Sequence, residues 1–394
     1  MDIDVLMFLA KAFQTDPRPT QEAKALSDAD YHVFVLAWDR EREFSSKETV
    51  DRTEVKSLSH LRLQRFLSVS LALGALIFQA QLIIESVRLI GKRKKRPIVH
   101  AHDFNTLIPG CILRILRLAR ALVYDAHELT YAAYEELYTH QIGCIARTLE
   151  QLCLPYAEAV VTVSQPFAEY FRRFNDAVKI IENCPVLTDL PTLSKSRVRE
   201  QLGLPLNQFI VSYIGTIRYD CNLDLLLDVA SLQADQEVYF LVVGDGPEAP
   251  EFRQNASRSK ASLTVLHRVP RRTALAYVTA SDLTWGIYRV DSLNMKLTLP
   301  WKFFESLTCQ VPLLVEEGFL TAELTKRFGC GIIIANENPY EILKAIKSLA
   351  RDHSAQRRMR AAARKAAENY TWEGVSQKLV SLYGKLETDL AKSR

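Results

Sequence analysis

Two short stretches concentrate ionisable side chains directly after apolar, β-branched runs. "VHAHDFNTL" carries His100, His102 and Asp103, and "VYDAHELTY" carries Asp125, His127 and Glu128. Imidazoles and carboxylates at that density could orient a hydroxylated ligand or handle protons near neutral pH. Helix capping would account for Asp103 and Asp125, whose carboxylates could accept free backbone N–H groups, but it leaves His127 unexplained. No set of ligands has a convincing metal spacing, so no metal is expected.

Three further stretches carry chemistry in the second half. "VSYIGTIRYDCNLDLLLDVA" runs from a strand through a turn at Gly215 and Thr216, past Arg218, into a helix starting near Asn222. A helix start behind a glycine turn suits a phosphate, and an arginine adds a charged fork beside it. "FLVVGDGPEAPEF" gives a second strand end, Gly244-Asp245-Gly246, with Pro247 expected at the first helical position. "TLPWKFFESLTCQVPLLV" places Lys302 and Glu305 three apart on a helix begun by Pro300, so the two face the same way. They could hold a phosphate and a pair of sugar hydroxyls, or form a surface ion pair.

The elements that must position these residues follow a regular rhythm. Six apolar runs lie in the first half ("DVLMFLA", "YHVFVLAW", "PIVHAHD", "ALVYDAH", "EAVVTVS", "VKIIENC") and six in the second ("FIVSYIG", "EVYFLVVGDG", "SLTVLH", "DLTWGIY", "VPLLVEE", "CGIIIAN"), with helical patterns between them. Runs buried on both faces and joined by helices predict two doubly wound, Rossmann-like parallel sheets. Such sheets place ligands at the carboxyl ends of their strands, where the residues above fall. A chain of 394 residues fits two domains. Residues 1–188 and 189–370 are expected to form them, with residues 371–394 a final helix packing back on the first and Thr371 as its cap. The Pro-, Thr- and Ser-rich segment 182–197 is the expected hinge.

Charge and cysteine usage exclude several classes. A net charge of +4 on 394 residues is too small for a protein that wraps nucleic acid. Seven scattered cysteines without Cys-x-x-Cys spacing argue against a disulfide framework or structural zinc and suit a reducing cytosol. The N-terminus lacks the positive region and cleavage site of a signal peptide.

One segment departs from the pattern. Residues 66–84, "FLSVSLALGALIFQAQLII", carry no charge and lie within an expected hydrophobic helix over 58–91. Spanning a bilayer would separate the first strands from their partners, so the helix should stay on one side. The run Lys92, Arg93, Lys94, Lys95, Arg96 follows, each cation gaining about 1 kcal/mol near an anionic leaflet. A buried core helix followed by a solvated turn is one reading. The other is peripheral attachment to the cytoplasmic face of a membrane, with Phe66, Leu73, Ile77, Phe78 and the five cations in contact.

These motifs in this order resemble the two-domain GT-B glycosyltransferases, particularly the retaining nucleotide-sugar enzymes of family four. The similarity runs over nearly the whole chain and includes "DPRPTQEAKALSDADYHVFVLAWDR" and "VPRRTALAYVTASDL". It implies two domains facing across a cleft, a nucleotide diphosphate-sugar donor (UDP- or GDP-linked) held mainly by the C-terminal domain, and no required cofactor. It further implies transfer of a hexosyl group to a lipid-linked or membrane-proximal glycan with retention of configuration. By the match, Glu305 would bond the donor ribose, and Arg218 and Lys302 would offset diphosphate charge. Gly215, Thr216, Gly244, Asp245 and Gly246 would lie around the donor. His127 would contact the transferred sugar, and His102, Asp103, Asp125 and Glu128 would shape the acceptor side. Three departures stand out. Cys221 replaces a lysine common beyond the glycine turn, Leu297 stands where many members carry a glutamate, and "LAKAFQTDPRP" lacks a glycine-rich loop. A sugar-nucleotide epimerase and a non-catalytic glycan-binding subunit are the alternatives.

Overall fold

The computed structural model describes residues 2–40, 42–58, 71–91, 93, 95–233, 235, 237–259, 261–289 and 291–392. The chain divides into two compact units, one of residues 1–182 with 375–394 and the other of residues 183–374. The division therefore falls at the start of the expected hinge, and the last stretch of chain belongs with the first unit.

In the first unit the strands are β1 (Val5–Leu9), β2 (Val33–Trp38), β3 (Lys47–Val50), β4 (Thr53–Leu58), β5 (Ile98–His102), β6 (Ala121–Ala126), β7 (Ala159–Thr162) and β8 (Val178–Ile180). They form one sheet in the order β3-β4-β2-β1-β5-β6-β7-β8. Every pairing is parallel except that of β3 with β4. All six expected strands are present, and five of them are short runs buried on both faces; in β8 only Val178 is buried. β1, β2, β5 and β6 contain no exposed residue at all. The β3/β4 hairpin escapes the hydrophobic pattern, since its sequence, Lys47 to Leu58, is largely charged and polar. What makes it a hairpin is the turn at Asp51 and Arg52, with φ of 45° and 67°, the two consecutive positive values of a tight hairpin turn.

The second unit has β9 (Phe209–Ile214), β10 (Val238–Val243), β11 (Leu263–Leu266), β12 (Leu283–Trp285), β13 (Leu313–Glu316) and β14 (Gly331–Ile334). They order as β11-β10-β9-β12-β13-β14, all parallel. Apolar layers cover both faces of this sheet, one around Phe240, Trp285 and Leu226 and the other around Ile210, Leu241 and Val278. Two parallel α/β sheets, each with its strand ends free to carry loops, are the architecture the sequence predicts.

The final helix, Trp372–Lys392, starts where Thr371 Oγ1 accepts the Gly374 N–H at 3.2 Å. Its far half packs on the first unit, where Tyr383 is fully buried and Glu387 pairs with Arg120.

The apolar helix runs over Leu71–Ile90, with residues 59–70 outside the described set. Phe66, Lys92 and Lys94 therefore also lie outside the described residues. Phe78, expected at a membrane, is instead a core residue. It is 1 % exposed and stacks on Trp38 with ring centroids 4.7 Å apart, and such burial is worth roughly 1.5–3 kcal/mol, so it does not turn outward. Ile77 is half-buried and Leu73 is 47 % exposed. The described cations after the helix bond to the protein rather than project free. Arg93 Nε donates to Leu89 O at 3.2 Å, Arg96 Nη1 to Ile90 O at 3.3 Å, and Lys95 Nζ to Asp4 Oδ1 at 2.6 Å. Two of them satisfy the carbonyls left open at a helix C-terminus, where positive charge is favoured.

Candidate active site

In the first unit, register brings the candidate residues together. Parallel pairing of β5 with β6 sets His102 beside Asp125. His100 and His102, two apart on β5, project to one face and stack with centroids 4.4 Å apart. A third element completes the group. The helix Pro17–Asp28 begins with Asp16 accepting the Arg18 N–H at 3.2 Å and directs Arg18 and Glu22, one turn apart, into the same place.

The result is a buried ionic cage. Arg18 grips Asp125 with both arms of its guanidinium, Nε to Oδ2 at 2.9 Å and Nη2 to Oδ1 at 2.7 Å, and Nη1 donates to Ile181 O at 2.7 Å. His127 Nε2 lies 3.0 Å from Asp125 Oδ2, and His102 Nδ1 lies 3.1 Å from the same oxygen. His100 Nδ1 meets the Tyr383 hydroxyl at 2.8 Å. Capping is therefore not the role of Asp125. Nor is it that of Asp103, whose carboxylate caps no helix N–H and instead accepts the His127 N–H at 3.4 Å.

The electrostatics divide the cage into fixed charges and neutral rings. Burial disfavours every charge here, yet Arg18 and His127 hold the Asp125 carboxyl well below its usual range. Burial also opposes the His127 imidazolium, but Asp103 and Asp125 outweigh it and lift its pKa to about 9. Burial lowers the pKa of both His100 and His102, which stay neutral. Burial, reinforced by Asp125, pushes Glu22 up to about 8, so it carries a proton at neutral pH. Two cations and two carboxylates then balance, with His127 the largely buried charge closest to the rim.

His127 Nε2 is committed to Asp125, but Nδ1 lies 3.4 Å from Asp103 Oδ2, too far for a firm hydrogen bond. Nδ1 is therefore the ring N–H that a sugar oxygen could take. Asp103 itself has φ 63° and ψ 165°, a backbone region essentially reserved for glycine and costing about 1–3 kcal/mol. Its N–H donates to Asp125 O at 2.9 Å, the firm bond that holds it there. Glu128 is partly exposed on the loop that leads into the helix Thr130–Leu137.

Glu22, His100, His102 and Asp125 offer ligand atoms within 4.8 Å of one another, a possible metal cluster among the described residues. The Arg18 guanidinium already fills a cation's place. It occupies both oxygens of Asp125 and approaches Glu22 Oε1 at 3.3 Å, so a metal ion would face a fixed positive charge.

The second unit's candidates gather at the ends of β9 and β10. These two strand-end loops touch backbone to backbone, with Gly215 N to Val243 O and Ile217 N to Asp245 O both at 3.0 Å. A Cβ on Gly244 would sit 1.8 Å from Gly215 O, and one on Gly246 would sit 2.3 Å from Ile217 O. Both glycines are thus demanded by loop packing. Asp245 fastens the β10 loop to the next one, accepting Arg268 N at 2.7 Å and His267 Nδ1 at 3.1 Å. The Arg268 N–H first, then the Arg253 guanidinium and His267, hold its pKa near 2. The helix after this loop begins at Ala249, not at Pro247, because residues 247–248 form a turn.

Gly215 and Thr216 are exposed, and the nearest side chains to a Cβ at Gly215 would be Tyr213 and the Lys302 amine, the latter at 3.9 Å. Lys302 is 8 % exposed, on the helix Trp301–Thr308. Its Nζ lies 3.8 Å from the centroid of the Tyr213 ring and 3.2 Å from the Tyr288 hydroxyl. Among the described residues it forms no ion pair, and burial lowers its pKa. Glu305, facing the same way, pairs instead with Arg271 at 2.7 Å, whose guanidinium stacks on Trp301. A surface ion pair between Lys302 and Glu305 is thereby ruled out. Arg218 is exposed and bonds Asp220 at 2.9 Å. Cys221 turns inward, its thiol donating to Thr216 O at 3.4 Å, and so closes the turn.

The model described as "Glycosyl transferase 4-like domain" matches residues 17–183, and that described as "Glycosyl transferases group 1" matches residues 194–366. The chain is a GT-B glycosyltransferase of the family-four kind. Over 308 residues it is 22 % identical to the D-inositol 3-phosphate glycosyltransferase of Corynebacterium diphtheriae, covering 73 % of this chain and 70 % of that protein. Among solved structures it is similar to the sucrose-phosphate synthase of Thermosynechococcus elongatus, with a TM-score of 0.78, 16 % identity, and 98 % and 100 % of the two chains covered. It is also similar to Anabaena HepE in complex with UDP-glucose, with a TM-score of 0.72, 16 % identity, and 97 % and 99 % covered. At these identities the two structures show the fold of a glycosyltransferase.

Arg18, Glu22, Tyr383 and Arg271 were not singled out from the sequence. A signal existed for the first two: Asp16-Pro17 marks a helix start, and Arg18 and Glu22 fall one turn apart on it. Tyr383 carries no such signal, since only the return of the last helix to the first unit brings it to His100.

Proposed function

We propose that this glycosyltransferase moves a hexosyl group from a nucleotide diphosphate-sugar to a lipid-linked or membrane-proximal glycan, with retention of anomeric configuration. The observation that carries the donor is Lys302. A buried ammonium beside an exposed glycine turn, with one neutral hydrogen bond and aromatic faces around it, is an unmatched charge that a diphosphate would complete. HepE in complex with UDP-glucose supports a nucleotide-sugar donor in a chain of this fold.

When the bond from the sugar's anomeric carbon to the phosphate oxygen breaks, its electron pair goes to that oxygen. Charge grows on the departing nucleotide, and cations held in place beforehand stabilise this state more than the ground state. Lys302, with Arg218 at the rim, supplies that charge. Glu305, oriented by Arg271, accepts the ribose hydroxyls, and the backbone at Gly215 and Thr216 meets the phosphates. In the first unit the His127 Nδ1–H bonds the sugar, while Arg18 and Asp125 keep the imidazolium in place. Cytoplasmic location at a membrane face is part of the same reading, and seven free thiols support a reducing compartment.

The test is a donor screen by calorimetry over uridine and guanosine diphosphate-sugars, followed by mass spectrometry and anomeric analysis of the product. Donor binding with acceptor-dependent nucleotide release and a retained linkage supports the reading. Conversion of donor to an epimer without acceptor would overturn it.

A further inference from the structure

A second charged cluster of the second unit lies at the amino ends of its strands. Asp282, just before β12, is met by three cations. Arg199 Nη2 donates to Asp282 Oδ2 at 2.5 Å, Lys195 Nζ donates to Asp282 Oδ1 and to Ser281 O, the latter at 2.5 Å, and Arg360 Nη2 lies 3.4 Å from Oδ1. The Ile210 N–H adds a further bond to Oδ2 at 2.8 Å. Arg199 alone matches the charge of this carboxylate, and its other N–H groups go to the carbonyls of Ala280, Pro205, Leu206 and Gln208. Lys195 and Arg360 are left as surplus positive charge.

Both surplus cations line one cleft of about 270 Å³, and no carboxylate lies on its lining. Leu190 and Leu193 of the hinge segment wall one part of it, and the helix His353–Ala367 supplies Arg360. Lys195 and Arg360 are both partly buried, so neither charge is fully hydrated. Burial, reinforced by Arg360 and Arg199, lowers the Lys195 pKa to about 7 against the pull of Asp282. Among the described residues Arg360 meets the protein through one nitrogen, and its other donors remain open to a ligand. Arg357 and Arg364, one turn before and after it, are exposed, and that helix contains no carboxylate. The cleft stands apart from the loops at Gly215 and Gly244. Those follow the carboxyl ends of β9 and β10, whereas Asp282 and Ile210 sit at the amino ends of β12 and β9, roughly 20 Å away along the strand.

We propose that this cleft binds a phosphate group between Lys195 and Arg360, at the amino edge of the second sheet. A guanidinium fork and an ammonium point charge on one cleft suit a tetrahedral dianion. The volume is below the roughly 300–1,000 Å³ of sites for larger organic ligands, which fits a phosphate or a small phosphate monoester rather than a second nucleotide-sugar. Bound there, the phosphate bridges the hinge segment to the helix His353–Ala367 without touching the donor loops.

Calorimetric titration of the full chain with inorganic phosphate and with glycerol 3-phosphate tests it. Lys302→Met, which removes the cation of the donor loops, is expected to keep phosphate binding at this cleft. Arg360→Gln added to that variant should weaken the binding about tenfold or more. Phosphate should also protect Lys195 from acetylation by an N-hydroxysuccinimide ester, read by peptide mass spectrometry, with half-protection at the calorimetric dissociation constant. Without phosphate, Arg360→Gln should leave the melting temperature unchanged or raise it, because Arg199 and Lys195 still hold Asp282. Tighter binding of glycerol 3-phosphate than of inorganic phosphate would assign the ligand as a phosphate monoester, and otherwise it is the free ion. Unchanged affinity in Arg360→Gln, loss of all phosphate binding in Lys302→Met, or no protection of Lys195 would each overturn the proposal. So would a melting temperature lowered by Arg360→Gln, which would make Arg360 a structural partner of Asp282 instead of a surplus charge.

Discussion

The two units solve opposite electrostatic problems. In the first, Arg18, His127, Asp125 and Asp103 are arranged so that each buried charge meets its counter-charge within the protein. In the second, Lys302 is buried against Tyr213 and Tyr288 with no carboxylate within ion-pair distance among the described residues. A closed set of charges fixes geometry and gains little from an added ion. An open one binds an anion strongly but destabilises the empty protein. Under the proposed function, the first unit holds a sugar-facing imidazolium steady and the second receives the charge of a leaving group.

Asp125→Ala gives the largest expected effect. It strands Arg18 and His127 in a dry core and should cost about 3–5 kcal/mol of unfolding free energy, read from urea transitions. A loss under about 1 kcal/mol would show that the cage is not closed in the sense argued. Lys302→Met tests the opposite case. Turnover should fall roughly 100- to 1,000-fold, while the melting temperature holds or rises because a buried unmatched charge is gone. Retained turnover, or a large fall in melting temperature, would break the contrast between the units.

The smallest effect is a pH dependence of the first unit's cage. The folded pKa values of His127, about 9, and Glu22, about 8, both lie above their ordinary values of 6.5 and 4.5. The folded state thus binds protons more tightly than the unfolded state. The His127 contribution is fully present below pH 6.5 and lost as pH rises through 9, and the Glu22 contribution falls away between pH 4.5 and 8. Stability of the first unit should therefore decline from pH 6.5 to 9. Glu22→Gln with His127→Gln should flatten that slope by on the order of 1–2 kcal/mol, measured by denaturation at several pH values. An unchanged slope would place the titrating groups elsewhere.

Much of this was legible in the chain. The twelve apolar runs became twelve strands: in the central ones burial on both faces leaves a continuous signature whatever the partners are, and β8, β11 and β14, at sheet edges, keep apolar runs though only partly buried. The β3/β4 hairpin was not legible, since an exposed edge strand needs no apolar pattern. His102, Asp125 and His127 stood out by type and position, and Lys302 and Glu305 by spacing. Phe78 was misassigned because an all-round apolar helix does not say which side meets Trp38 and which meets solvent.

The sequence by itself determined which residues end the strands and which helices can form, because periodicity and turn chemistry act over a few residues. Only the tertiary structure decided their partners. Arg18 reaches Asp125 across 107 positions of the chain, and Tyr383 reaches His100 across 283. That Glu305 takes Arg271 and leaves Lys302 to the aromatic rings is likewise a result of packing. Spacing states what can face the same way, and burial then selects which charge is matched inside the protein and which is left for a ligand.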